Sequence, residues 1–247
     1  MTMWVIFQKE VLTFFHSLAG YLVIGVFLLI IGLVLWVFPD YSLLNYNYAT
    51  LNQLFEIGPL IFLFLIPAVC MRSFSEERSS GTLEILVTKP IRDWEILLGK
   101  YFGVIFLIVL AILPTVVYYY SIWTLGAPKG NIDGGEVLGS YLGLLLLGAA
   151  FASLGLLSSI LTTNQVIAFL LGCFLCFTFY WSFYFFSKLP IFVGSLDDTI
   201  QKIGIDYHYR AISHGVIDSR DIIYFISLIS GVLFLSYIIL KSRQSSN

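Results

Sequence analysis

Several groups of residues in this 247-residue chain are of types that do chemistry. Cys173 and Cys176 form a C-x-x-C, the spacing of redox pairs and of half a zinc site. The pair is flanked by apolar residues and has no second ligand pair, and Cys70 also falls in an apolar run, so neither a metal site nor a disulfide framework is implied. Asp197 and Asp198 are adjacent carboxylates, far short of a calcium loop, and read as solvated surface. His16, His208 and His214 lie outside every long apolar run, so none can serve a buried nucleophile or metal at membrane depth, and they read as surface or interface residues. No G-x-x-x-x-G-K-[ST] phosphate loop occurs, so any ATP hydrolysis belongs to another chain. What remains is a charged stretch, Arg72 to Gly81, whose chemistry is that of contact rather than catalysis.

The elements that position these residues follow from composition. Hydrophobic residues make up 59% and charged residues 11% of the chain, against about 25% charged in soluble domains. Lipid is the natural solvent for such a chain, and a net charge of -2 without Lys/Arg clusters excludes a nucleic-acid partner. Leu18 to Phe38 is 21 uncharged residues, 15 of them Leu, Ile, Val or Phe. Near a bilayer centre these supply about -4 to -9 kcal/mol toward insertion. Val137 to Ser187 is 51 residues without a charge and must turn back once, at the polar break around Thr162, Thr163 and Asn164. The expectation is an all-α integral membrane protein, a single transmembrane domain with six spans at about 18–38, 52–71, 101–125, 138–161, 166–186 and 222–240. The second is the least regular, because Pro59 and Pro67 interrupt it and it must begin near Leu51. Residues 1–17 place Trp4, Phe7, Val11 and Phe14 on one stripe and read as an amphipathic interfacial helix rather than a cleavable signal, with a plain extension of the first span as the alternative.

Six spans put both termini on one side. With the termini inside, the inner segments carry eight Lys and Arg and the outer loops five, which agrees with the positive-inside rule. The five uninterrupted spans contain no Asp, Glu, Lys, Arg or His, which argues against a proton- or ion-coupled carrier. On residues alone, the 72–100 segment reads as an ordinary charged loop. Its apolar Leu83, Ile85, Leu86 and Val87 nevertheless want the headgroup region or a partner protein, and Ser73-x-x-Glu76 matches a capping box.

Residues 72–103, R-S-F-S-E-E-R-S-S-G-T-L-E-I-L-V-T-K-P-I-R-D-W-E-I-L-L-G-K-Y-F-G, resemble the signature loop of ABC-2 type permeases. Leu161 to Phe169 and Gly215 to Phe225 agree with the same family, and within it the chain is similar to gliding-motility-associated permeases of Bacteroidota. The resemblance implies a non-catalytic permease subunit in the bacterial inner membrane, with both termini cytoplasmic, serving an exporter linked to gliding motility or cell-surface machinery. It implies two cytoplasmic ABC ATPase subunits that hold the ATP and magnesium, and a second permease, identical or different. This chain would then need no cofactor of its own. It also implies that Glu76, Glu77, Arg78, Gly81, Thr82 and Glu84 form the element that couples to the ATPase.

Two further patterns carry weight. Gly139/Gly143, Gly148/Ala152 and Gly155/Ser159 are small-xxx-small pairs, expected to pack helices closely within one subunit, with a dimer interface or a path as the alternative. The outer half of the fifth span is crowded with rings, more densely than an interfacial belt requires, and Tyr180, Trp181 and Tyr184 are candidates for a translocation path. The 188–221 outer loop, with Leu196, Ile200 and Ile203 at helical spacing, reads as short extracytoplasmic helices. The competing classes are a membrane-bound enzyme, whose titratable groups could come only from that loop, and a channel without ATP drive, which would need polar rings along a pore.

Overall fold

The computed structural model describes residues 2–39, 42–43, 49–82, 92–192, 194 and 196–244, and among them every regular element is helical. Helices α1 (Thr2–His16) and α2 (Leu18–Trp36) are followed by α3 (Asn52–Ser79). Next come α4 (Asp93–Ile112), a 3-10 turn (Leu113–Thr115) and α5 (Val116–Leu125). After α6 (Gly134–Leu161), α7 (Gln165–Phe177) runs through a π-helical turn (Thr178–Ser182) into α8 (Phe183–Ser187). Two short helices, α9 (Asp197–Gln201) and α10 (Ile205–Ser213), precede α11 (Ser219–Gln244).

Five of these are long and apolar enough to cross a bilayer unaided: α3, α4–α5, α6, α7–α8 and α11. The sixth candidate is the pair α1 and α2, bent by 67°. At 1.5 Å per residue, the 19 residues of α2 reach only about 28 Å, marginally short of a hydrocarbon core. Ser17 breaks the pair by taking an extended conformation, φ -105 and ψ 154. The bend also depends on Gly20, where a Cβ would lie 2.6 Å from the Phe14 carbonyl oxygen.

Helix α6 is the core of the bundle: 78% of its apolar stretch is buried, against 22% for α7–α8 and 17% for α11. Its small residues explain how. A Cβ on Gly155 would lie 2.8 Å from that of Cys70 in α3, and one on Gly148 would lie 3.1 Å from Ile108 in α4. One on Gly143 would lie 3.0 Å from Ile212 in α10. Within this chain, therefore, the small-residue face is spent on α3, α4 and α10.

The two prolines of α3 leave carbonyls without helical donors, and lipid supplies no replacement. Pro59 frees the carbonyl of Phe55, and the Tyr209 hydroxyl of α10 donates to it at 2.5 Å. Further along, Ser159 of α6 enters the α3 ladder. Its Oγ accepts from Phe74 N at 3.0 Å and Ser75 N at 3.1 Å and donates to the Met71 carbonyl. Ser75 Oγ donates to the same carbonyl. Pro114 sits in the 3-10 turn, where Thr115 Oγ1 donates to the Ile112 carbonyl at 2.6 Å.

Tyr209→Phe removes the only side-chain donor to the Phe55 carbonyl among the described residues and should cost about 1–3 kcal/mol of stability. Pro59→Ala restores a backbone N–H for that carbonyl, so the loss on Tyr209→Phe should shrink in its presence. Thermal unfolding of the four combinations in detergent checks this, and strict additivity would refute it.

Candidate functional site

Helix α3 does not end where its apolar run ends. With no breaker between Pro67 and Gly81, it continues through the charged residues to Ser79, and Gly81 stops it at φ +72. Ser73 and Glu76 therefore lie inside the helix, and the capping box that their spacing resembles does not form. Helix α4 restarts the chain at Asp93, where Glu95 Oε2 accepts from Arg92 N.

The last turns of α3 meet α1 and α4 at a buried charge cluster. Lys100, only 2% exposed, has Nζ 2.9 Å from Glu10 Oε1 of α1 and 3.0 Å from Glu77 Oε1 of α3. It also donates to the Ser73 carbonyl at 2.7 Å and lies 5.0 Å from the centre of the Phe74 ring. Lys9 Nζ adds a second cation on Glu77 Oε1 at 2.9 Å. Helix α1 can come this close because Gly99 and Gly103 of α4 face it. A Cβ at either would lie within 2.9 Å of Ile6 or Glu10. The buried face of α1 is accordingly centred on Ile6 and Glu10, whereas Trp4, which headed the apolar stripe in the sequence, is 59% exposed. On the other side of α3, Arg78 Nη1 donates to the Ile160 carbonyl at the end of α6 at 3.0 Å.

Of the expected coupling residues, Glu77 and Arg78 thus point into the chain, while Glu76, Gly81 and Thr82 are exposed. Glu84 lies outside the described residues. Lys9, Glu10 and Lys100 are the members that sequence reading missed. One signal was present: Glu10 falls three residues after Phe7 and four before Phe14, on the stripe that was read as apolar.

At the other end of the bundle, the π-helical turn carries Tyr180 to the wall of a second cavity of about 390 Å³. Tyr184 of α8 and Asp206, Arg210 and His214 of the 205–215 region share it. Arg210 Nε is 2.9 Å from Asp206 Oδ1, and its guanidinium lies 5.8 Å from the Tyr184 ring centre. Partial burial would lower the Arg210 pKa, but the Asp206 carboxylate outweighs it and holds the guanidinium above its ordinary value. Trp181, the third candidate, packs on Phe177 and Tyr180 and does not line this cavity.

Helix α10 is amphipathic through Ile205, Tyr209 and Ile212, a spacing that the reading of Leu196, Ile200 and Ile203 passed over. Leu196 and Ile203 are in fact exposed. His208, expected at the surface or an interface, is buried at the contact between α10 and α11. Its Nε2 donates to the Lys202 carbonyl at 2.8 Å, and its Nδ1 lies 2.6 Å from Asp221 Oδ1. This ties the outer helices to the start of α11. Cys70, Cys173 and Cys176 are free thiols.

A family described as ABC-2 family transporter protein matches residues 37–205, more than half of the chain. This chain belongs to the ABC-2 transporter family. The permease is also 28% identical over 135 residues to the "Probable multidrug ABC transporter permease YbhR" of Escherichia coli strain K12, and equally to its counterpart in strain O157:H7. Those alignments cover 55% of the permease and 33% of each relative, so it spans about a third of the length of the curated relatives it matches.

Replacing Lys100 by Met leaves Glu10 uncompensated and Glu77 with Lys9 alone, and should destabilise the permease by about 3–5 kcal/mol. Adding Glu10→Gln and Glu77→Gln removes the stranded charge and should recover most of that loss. Unfolding temperatures of the single and triple variants decide it, and a triple variant no more stable than Lys100→Met would contradict the assignment.

Proposed function

We propose that this permease is the membrane-embedded, non-catalytic half of an ATP-driven exporter, and that a separate cytoplasmic ABC ATPase drives it through the end of α3. The observation that carries this reading is the mechanical character of that end. It extends beyond the apolar run and presents Glu76, Gly81 and Thr82 to solvent, yet it is tied to α1 and α4 through Lys100 and to α6 through Arg78 and Ser159. A push on an exposed, flexible loop would dissipate in the loop. A push on this end reaches the core helix directly, as rigid-body gating requires.

In this reading Glu76, Gly81 and Thr82, with Glu84 beyond the described segment, form the docking face, and Glu77 and Arg78 hold that face to the bundle. ATP and magnesium belong to the ATPase, and this chain needs no cofactor. The permease sits in the bacterial inner membrane with α1 along the cytoplasmic surface and both termini inside, and it pairs with a second permease, identical or different. The aromatic cavity at Tyr180 and Tyr184 is the outer part of the path, with Trp181 packed behind it. Within its family the chain is similar to gliding-motility-associated permeases, which supports an exporter linked to gliding motility or cell-surface machinery, while the curated relative's name speaks of multidrug transport. Both are consistent with an amphipathic substrate meeting tyrosine rings.

Gly81→Val forces a β-branched residue to a positive φ, and Thr82→Arg places bulk on the exposed turn. The double variant should still fold, at an unfolding temperature lowered only by the strain at position 81, and lose an ATPase that co-purifies with the tagged wild type from native membranes. Retention of the ATPase would remove Gly81 and Thr82 from the docking face. Folded wild type that repeatedly emerged without any ATPase would overturn the coupling itself.

A further inference from the structure

A cavity of about 440 Å³ lies between α1, the start of α2 and the end of α3, beside the charge cluster. Its volume is in the range of small-molecule sites. Phe14, Val23 and Val69 give it an apolar side, and Arg72, Glu76 and Glu77 give it a polar one. Arg72 is the first charge after the uncharged run 57–71, and Lys100 is the last before the run 101–125. These two residues mark the level at which the apolar runs of α3 and α4 end, and the cavity is lined from both sides of that level.

The charges around it do not all find partners inside the chain. Lys9 and Lys100 are matched by Glu10 and Glu77. Arg72 and Glu76, four residues apart on α3, are both exposed, and neither makes an ion pair or side-chain hydrogen bond with the described residues. Glu77 uses Oε1 for both lysines, while its Oε2 is buried and has no hydrogen-bond partner among the described residues. The cavity therefore offers one unmatched cation, Arg72, for an anionic group, one unmatched carboxylate, Glu76, for a cationic one, and an apolar wall beside them. Glu77 Oε2 is closed off from the cavity, so Glu76 is the carboxylate a ligand meets there, and a primary ammonium donates N–H to it in a charge-assisted hydrogen bond that a quaternary ammonium cannot make.

We infer that this cavity seats a phospholipid with a phosphoethanolamine headgroup. The phosphate pairs with Arg72, the primary ammonium donates to Glu76, and an acyl chain lies against Phe14, Val23 and Val69. A choline-type headgroup has no N–H to donate, and a glycerol-type headgroup brings no cation to face Glu76. Bound there, the lipid joins α1 to α3 next to Lys100 and adds to the contact between them. The inference needs no ATPase, so its failure would leave the coupling reading standing.

The test is native mass spectrometry of the full-length permease, purified without partner chains and released from nanodiscs holding equal parts of phosphatidylethanolamine, phosphatidylcholine and phosphatidylglycerol. Phosphatidylethanolamine should be retained over each of the others by about tenfold, the factor carried by one charge-assisted hydrogen bond. Arg72→Gln and Glu76→Gln should each remove most of that preference without changing the unfolding temperature, because both side chains are exposed and lie outside the charge cluster. Soluble O-phosphoethanolamine at millimolar concentration should not displace the lipid, because it lacks the acyl chain. Equal retention of the three lipids, a preference for phosphatidylglycerol, a preference that survives both substitutions, or displacement by the soluble headgroup would each overturn the assignment.

Discussion

Where water is absent, a freed carbonyl or an unpaired charge can be met only by another part of the chain, and the breaks in this bundle occur where such a partner exists. Tyr209 stands opposite the carbonyl that Pro59 releases. Ser159 fills the gap in the α3 ladder near Met71. Lys100 enters the bundle only because two carboxylates and a backbone carbonyl surround it. Each partner comes from a different helix, so the irregularities of α3 also fix its neighbours. Proline and charge, which would weaken an isolated helix, here specify which helices must be adjacent.

This accounts for the division of labour along the chain. Helix α6 supplies small residues, and α3, α4 and α10 close on it. Helices α7–α8 and α11 are mostly exposed and apolar, the surface that lipid or another membrane chain would cover. The end of α3 acquires rigidity that its sequence, rich in Ser and Glu, would not provide by itself. Its exposed face and its buried face belong to one helix, so contact and transmission can be carried by neighbouring residues such as Glu76 and Glu77.

The outer end is organised by a similar logic with different chemistry. Asp206 and Arg210 pair across one turn of α10, and the guanidinium rests against Tyr184, so the polar groups of the outer cavity are already balanced. The Lys188 ammonium lies 5.5 Å from the same ring. His208, held between the Lys202 carbonyl and Asp221, anchors α10 to α11. The outer helices are therefore attached to the bundle through specific polar contacts as well as through Ile205, Tyr209 and Ile212.

Composition and run length determined, without any coordinates, that this chain is helical and built for lipid, because only a helix satisfies its own backbone there and only long apolar runs pay for insertion. They also located the charged stretch after the second apolar run and the ring-rich region around Tyr180. What they could not determine is which residues on those segments face inward. Lys9, Glu10, Glu77 and Lys100 lie up to 91 positions apart in sequence, and no periodicity connects them; only the packing of α1 on Gly99 and Gly103 brings them together. In the same way the sequence leaves a histidine in an outer loop at either the surface or an interface, and only the folding of α10 against α11 decides for the interface. Local pattern reports the solvent a segment prefers, whereas partner choice between distant charges is decided by tertiary contact, because a pair exists only where two backbones approach closely enough to exclude water.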